Sequence, residues 1–179
     1  MQNTFNGCTQ LTELDLSDYY IPNIARLDGL VKNCSNLTTL KFPPVQNYNS
    51  LSNVQGMLTG TKKLTRVENL PLINFITYPN QEGQFVSMLY AYGDRNDLPD
   101  NGLTFTFADK ITSLWNLWSG VYIPNMFNKF SSETLDNIVN ALYDYASEGS
   151  TKTLNTNGYL ARFTEEQILI ATNKGWTIT

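Results

Sequence analysis

The chain has 179 residues, of which 41% are hydrophobic, and this balance indicates a globular protein with a sizeable core. Its 12 basic and 16 acidic residues give a formal net charge of −4 without a basic cluster, which argues against nucleic acid as a partner. Histidine is absent, which excludes histidine-dependent catalytic triads, and no apolar run approaches the roughly 20 residues of a membrane span.

The first predicted elements are three copies of one phrase. They read NGCTQLTELDLS at residues 6–17, KNCSNLTTLKF at 32–42 and TGTKKLTRVENL at 59–70. Each copy alternates apolar and polar residues after a turn, which predicts a short strand. Such strands bury their apolar side chains only by stacking into a parallel sheet. Two buried rows are therefore expected: Leu11, Leu37 and Leu64, and then Leu14, Leu40 and Val67.

The segment between the first two copies predicts a short helical return on the other side of the sheet. Its apolar residues are spaced as on one helical face, and Pro22 stands where such a segment would begin. Those apolar residues are Ile24, Leu27, Leu30 and Val31.

Outward-facing positions of the predicted strands alternate in charge. Asp15, Lys41 and Glu68 are equivalent, as are Glu13, Thr39 and Arg66. Opposite charges on neighbouring strands attract each other. We therefore expect a ladder of paired charges on this face rather than a charged binding groove.

Cys8 and Cys34 occupy the same place in successive copies. Neighbouring strands lie about 4.8 Å apart, which is close enough for a disulfide. The alternative is that both thiols are buried as small apolar groups. Thr61, at the same place in the third copy, favours the packing role.

The middle of the chain is less regular. It predicts strands at Phe85–Tyr90 and Leu103–Phe107, separated by a loop rich in Asp and Asn. That loop, which includes Asp94 and Asp100, lacks the spacing of a calcium loop, and turn formation explains its composition. We expect no metal site.

Residues 111–126, ITSLWNLWSGVYIPNM, echo residues 11–24 and predict a further repeat. Within them, Trp115, Trp118 and Tyr122 are the candidate binding residues, because flat aromatic rings stack on sugars or anchor protein partners. Leu114 and Leu117 interleave with the tryptophans, so burial in the core is the alternative.

The C-terminal part predicts two helices and two strands. SSETLDNIVNALYDYASEG predicts a helix that Ser131 or Ser132 caps, with an apolar face, and that ends at Gly149. TKTLNTNG predicts a strand and turn. FTEEQILIATNKGW predicts a second helix with a capping box of Thr164 and Gln167, followed by a strand at Trp176–Ile178. The apolar face comprises Leu135, Ile138, Val139 and Leu142.

Two stretches resemble known proteins. The pattern of Phe5, Cys8, Leu11, Leu14, Leu16 and Ser17 resembles the FxxCxxLxxLxLS phrase of BspA-like leucine-rich-repeat proteins of bacterial surfaces. Residues 164–177 resemble the closing segment of leucine-rich-repeat proteins of gut bacteria and their phages. The resemblance implies an α/β leucine-rich-repeat solenoid with a parallel sheet and a helix-rich C-terminal cap. One domain is expected over 1–179, with regular repeats at 1–76, irregular repeats at 77–130 and the cap at 131–179.

The function that these observations favour is non-catalytic. We expect a binding or assembly module that acts in protein–protein or surface attachment, outside the cell, on a phage virion or a bacterial surface, without a cofactor. The alternative is a glycan-degrading phage or surface enzyme, although no carboxylate pair stands out in the sequence.

The start of the chain predicts where a partner binds. MQNTFNGC has neither the charged start nor the apolar region of a secretory signal, and the chain enters its first repeat at once. The strand Leu11–Ser17 is therefore expected at an edge of the sheet, with Leu11, Leu14 and Leu16 half covered. We expect a second copy, another protein or a preceding part of a longer polypeptide to cover this edge. A surface glycan is the other expected partner.

Overall fold

The computed structural model describes residues 1–20, 24–44, 51, 56–71, 100–108, 126–156 and 158–179. It is an α/β fold that contains a four-stranded parallel sheet, a two-stranded parallel sheet and helices in the C-terminal part. The predicted strand Phe85–Tyr90, the echo within 111–125 and Pro22 lie outside the described residues.

Three strands of the larger sheet come from the repeated phrases, and the fourth is the strand predicted at Leu103–Phe107. Its strands are β1 (Glu13–Asp15), β2 (Thr39–Lys41), β3 (Arg66–Leu70) and β4 (Thr104–Phe107), in that order, and every neighbouring pair is parallel. The register aligns one buried row across the sheet, as predicted for its first three members. This row comprises Leu14, Leu40, Val67 and Phe105.

The other predicted row is buried only in part. Leu37 and Leu64 are fully buried, whereas Leu11 is partly buried against the core. The expectation of full burial is therefore wrong for Leu11. The difference follows from position, because Leu37 has a neighbouring repeat on each side and Leu11 has one only on the side of β2 among the described residues.

The predicted helical return is wrong for residues 24–34, which form turns. Gly29 and Asn33 have φ values of +61° each, and such left-handed residues interrupt a right-handed helix. A Cβ atom on Gly29 would lie 2.0 Å from Asn3 Oδ1, so a side chain at this position would displace the side chain of Asn3 in the preceding turn. The apolar residues of the segment are still buried beneath the sheet.

These turns are stacked as regularly as the strands. The N–H groups of Asn3, Phe5 and Gly7 donate to the carbonyl oxygens of the next turn, at Asp28, Leu30 and Lys32. Val31 and Asn33 make the corresponding bonds to Met57 and Thr59. A second ladder of backbone hydrogen bonds therefore joins the first three repeats, outside the strands.

The C-terminal part contains three α-helices and the smaller sheet. Both predicted N-caps are confirmed, because Ser131 Oγ accepts from Thr134 N–H and the capping box of Thr164 and Gln167 is complete. The predicted strands after each helix pair with each other in parallel. The elements are α1 (Met126–Lys129), α2 (Ser132–Ala141), β5 (Lys152–Leu154), α3 (Glu165–Asn173) and β6 (Trp176–Ile178).

Helix α2 ends at Ala141 rather than at Gly149 as predicted. Lys174 Nζ donates to the carbonyl oxygens of Val139 (2.9 Å) and Asn140 (2.7 Å), which satisfies carbonyls that the last turn leaves without intrahelical partners. Trp176 Nε1 then donates to Tyr143 O at 2.9 Å. Contacts distant in sequence therefore end the helix, and Gly149 instead ends a single 3₁₀ turn.

The buried apolar residues of both sheets belong to one cluster. Phe105 of β4 meets Phe130 edge to face, with ring centroids 5.7 Å apart, and Phe130 meets Phe127 in the same way at 5.5 Å. These aromatic contacts join the larger sheet to the helical part of the chain.

Candidate binding edge

The predicted site residues fall into two groups. Trp115, Trp118 and Tyr122 lie outside the described residues, so their role as sugar or protein contacts stays a prediction. Leu14 and Leu16 are 8% and 5% exposed, and Leu11 is partly buried, so the expected half coverage is confirmed for Leu11 and wrong for Leu14 and Leu16. Only Leu14 lies in β1, which is shorter than the predicted strand Leu11–Ser17, and the other two flank it at one end of the larger sheet.

Strand β1 ends the sheet, and two of its three residues direct their backbone hydrogen-bonding groups away from β2. Leu16 N–H donates to Lys41 O at 2.9 Å, and Thr12 O accepts from Thr38 N–H at 2.8 Å. Because successive residues of a strand direct their backbone groups to opposite edges, Glu13 and Asp15 direct theirs to the outer edge. No described strand pairs with that edge.

An apolar groove lies beside β1. It has a volume of about 380 Å³, which is within the roughly 300–1,000 Å³ of ligand pockets. We call it the β1 groove. It is lined by Met1, Phe5, Leu14, Asp15, Leu16 and Tyr19.

Two carboxylates mark the outward face of β1. Lys41 Nζ lies 2.9 Å from Glu13 Oε1 and 3.1 Å from Asp15 Oδ2, so one lysine of β2 forms ion pairs with both acids. Hydrogen bonds from the side chain and backbone of Ser17, and then from Lys41, lower the pKa of Asp15 to about 2. The same pair of acids, Glu13 first, raises the pKa of Lys41. Asp15 therefore remains ionised over the whole neutral range.

The opposite end of the sheet is covered. Phe105 N–H of β4 donates to Thr134 Oγ1 at 2.8 Å, and Asn137 Nδ2 donates to Phe105 O at 2.8 Å. Thr134 Oγ1 also donates to Leu103 O at 2.7 Å. Polar side chains of α2 thus bind both outward backbone groups of Phe105 in place of a further strand, so the two ends of the sheet differ.

The predicted ladder of paired charges is confirmed in part. Asp15 and Lys41 form the predicted pair across strands, and the register places Glu68 beside Lys41. Glu68, however, pairs with Arg66 of its own strand at 2.7 Å, and Arg66 also contacts Glu133 at 3.2 Å. The outward face of β3 is therefore neutralised by its own strand and by α2.

The two cysteines are free thiols and differ in environment. Cys34 is buried, its Sγ lies 2.9 Å from Phe5 O, and burial raises the pKa of its thiol. The predicted packing role is confirmed for Cys34. It is wrong for Cys8, which is exposed because it belongs to the repeat at the end of the sheet.

Sequence reasoning missed two walls of the β1 groove, Met1 and Tyr19. Tyr19 is 61% exposed and follows the end of β1. At the 26-residue offset between the first two repeats, Val45 and Gln46 stand in the places of Tyr19 and Tyr20. This pair of aromatic residues was the signal in the sequence, and both tyrosines are exposed.

Other kinds of site find little support in the described residues. No group of three potential metal ligands occurs there, and Asp100 of the polar loop forms an ion pair with Lys129 at 2.6 Å. No helix in the described ranges is both long and apolar enough to cross a membrane. No family model, curated protein or solved structure matches this chain.

Proposed function

We propose that this protein is a non-catalytic assembly module, a leucine-rich-repeat solenoid that attaches to another polypeptide through the outer edge of β1. One observation carries the proposal. The sheet is closed by α2 at β4, whereas at β1 it ends in outward backbone groups beside an apolar groove. Exposed strand edges pair readily with other chains, and repeat proteins usually need both ends covered.

The repeat architecture supports the same proposal. The strands and the turns of the first three repeats are each joined by a backbone ladder, so a further strand could extend the stack without changing it. Attachment at the surface of a phage particle or of a bacterial cell is the setting that the resemblance to surface and phage repeat proteins implies.

The test compares two tyrosines that are neighbours in the chain. Tyr19 lines the β1 groove, whereas Tyr20 is 82% exposed and does not line it. The immobilised chain is exposed to surface extracts of gut bacteria and to phage particles, and light scattering of the free chain measures self-association. We expect a retained protein or a self-associated species that Tyr19→Ser weakens and Tyr20→Ser leaves intact.

Two results would overturn the proposal. One is a chain that stays monomeric at high concentration, captures no protein when it is immobilised, and shows rapid hydrogen exchange at the amides of residues 13–17. The other is turnover of a polysaccharide that a single Asp or Glu substitution abolishes, which would favour the glycan-degrading enzyme instead.

A further inference from the structure

We infer that the partner of the β1 edge is an extended peptide segment in which apolar side chains alternate with lysine or arginine. This inference rests on the proposed function and specifies the chemistry of the partner. The recognition mode is strand addition, in which backbone bonds supply affinity and alternate side chains supply specificity.

The apolar half of the pattern follows from the register. Leu14, Leu40, Val67 and Phe105 form one buried row, so a strand added beyond β1 would place a side chain next to Leu14. The side chain two residues further along the added strand would lie next to Leu16, because alternate residues share a face. Both positions open on the β1 groove, whose walls are mostly apolar.

The basic half of the pattern follows from charge. The outward side chains of Glu13 and Asp15 are 53% and 44% exposed, and both take their basic partner from β2. Lys41 demonstrates the preference within this chain, because a lysine on the neighbouring strand contacts both acids. A basic residue on an added strand would meet the same acids from their open side, whereas an acidic one would be repelled.

Charge also argues against a second copy as the occupant. A two-fold symmetric dimer through this edge pairs β1 with itself in antiparallel fashion, which sets Glu13 opposite Asp15 of the other copy. Like charges directly opposite on paired strands are destabilising. A head-to-tail arrangement would need a free β4 edge, which α2 covers.

The test uses two labelled peptides and the whole chain. The probe has the sequence of residues 35–43, SNLTTLKFP, which already forms the strand on the other side of β1. Its matched control carries Lys41→Glu. Fluorescence anisotropy at low ionic strength should give an affinity at least fivefold higher for the lysine peptide, and added salt should narrow that ratio because it screens exposed charges.

Variants of the chain locate the binding. Tyr19→Ser should weaken binding of the lysine peptide and Tyr20→Ser should not. The pair Glu13→Gln and Asp15→Asn should remove most of the discrimination between peptides, whereas Glu166→Gln on α3 should leave it unchanged. Bound peptide should slow hydrogen exchange at the amides of Glu13 and Asp15.

Each contrary result has a distinct meaning. Equal binding of both peptides in a manner that depends on Tyr19 overturns the inference and leaves the proposed function intact. Protected β1 amides without peptide binding also overturn it, and light scattering then tells a second copy from a segment of the same chain. Peptide binding that is indifferent to Tyr19 overturns the inference and removes the support for the edge as the attachment site.

Discussion

Replacing Leu37 by alanine tests the stacked register most directly. Leu37 is fully buried in the middle repeat, so the substitution removes three buried carbon atoms and leaves a cavity between neighbours that are held by two backbone ladders. Large-to-small substitutions of buried leucine cost about 2–5 kcal/mol. We expect Leu37→Ala to lower the free energy of unfolding by that amount.

Urea unfolding, followed by tryptophan fluorescence and circular dichroism, measures this loss as a lower midpoint at an unchanged slope. The matched control is Leu11→Ala at the same repeat position of the end repeat. Leu11 is only partly buried, so its loss should be clearly smaller. A loss below about 1 kcal/mol for Leu37→Ala, against the range for buried leucine, would refute the stacked arrangement.

Three further predictions concern the ionisation of Asp15, the hydroxyl of Thr134 and the absence of hydrolytic activity. The pKa of Asp15 falls from its usual 3.8 to about 2 on folding, so its contribution to stability is present above pH 3.8 and is lost as the pH falls through 2. Unfolding midpoints of Asp15→Asn and the wild type should therefore converge over that window, and a constant difference would contradict the assigned contacts. Thr134→Val removes the hydroxyl that binds both Phe105 N–H and Leu103 O and should cost about 1–3 kcal/mol in urea unfolding, whereas a neutral result would mean that α2 does not cover β4. Assays on polysaccharides and peptidoglycan should detect no turnover, because no acid–base pair is apparent in the sequence.

The strands β1, β2 and β3 were predictable because each belongs to a copy of one phrase, which recurs at steps of 26 and 27 residues. Aligning Leu14, Leu40 and Val67 by their phrases reproduced the register of β1, β2 and β3. The helix starts were predictable for a local reason, since Ser131 and Thr164 cap with side chains that lie within three residues of their partners. Local patterns thus sufficed wherever the interaction itself is local.

The failures arose where partners distant in sequence decide the structure. Gly29 lies against the side chain of Asn3 in the preceding turn, and a periodicity of apolar residues does not reveal that contact. Helix α2 stops at Ala141 because Lys174, more than thirty residues away, donates hydrogen bonds to carbonyl oxygens of its last turn. Cys8 and Leu11 match Cys34 and Leu37 in sequence but differ in burial. The repeated phrase does not show whether a repeat lies at the end or in the middle of the stack.

The two ends of the sheet support the proposal that the β1 edge binds a partner selectively rather than being merely protected. Charged residues on an edge strand often serve only to discourage pairing with other chains, and Glu13 and Asp15 would serve that purpose on a three-residue strand. Protection alone does not account for the adjoining β1 groove, because exposure of its apolar walls to water is unfavourable. Thr134 and Asn137 demonstrate that this fold can cover a strand edge with side chains of its own. We therefore propose that an edge with two acids beside an apolar groove takes a partner that brings both positive charge and apolar side chains.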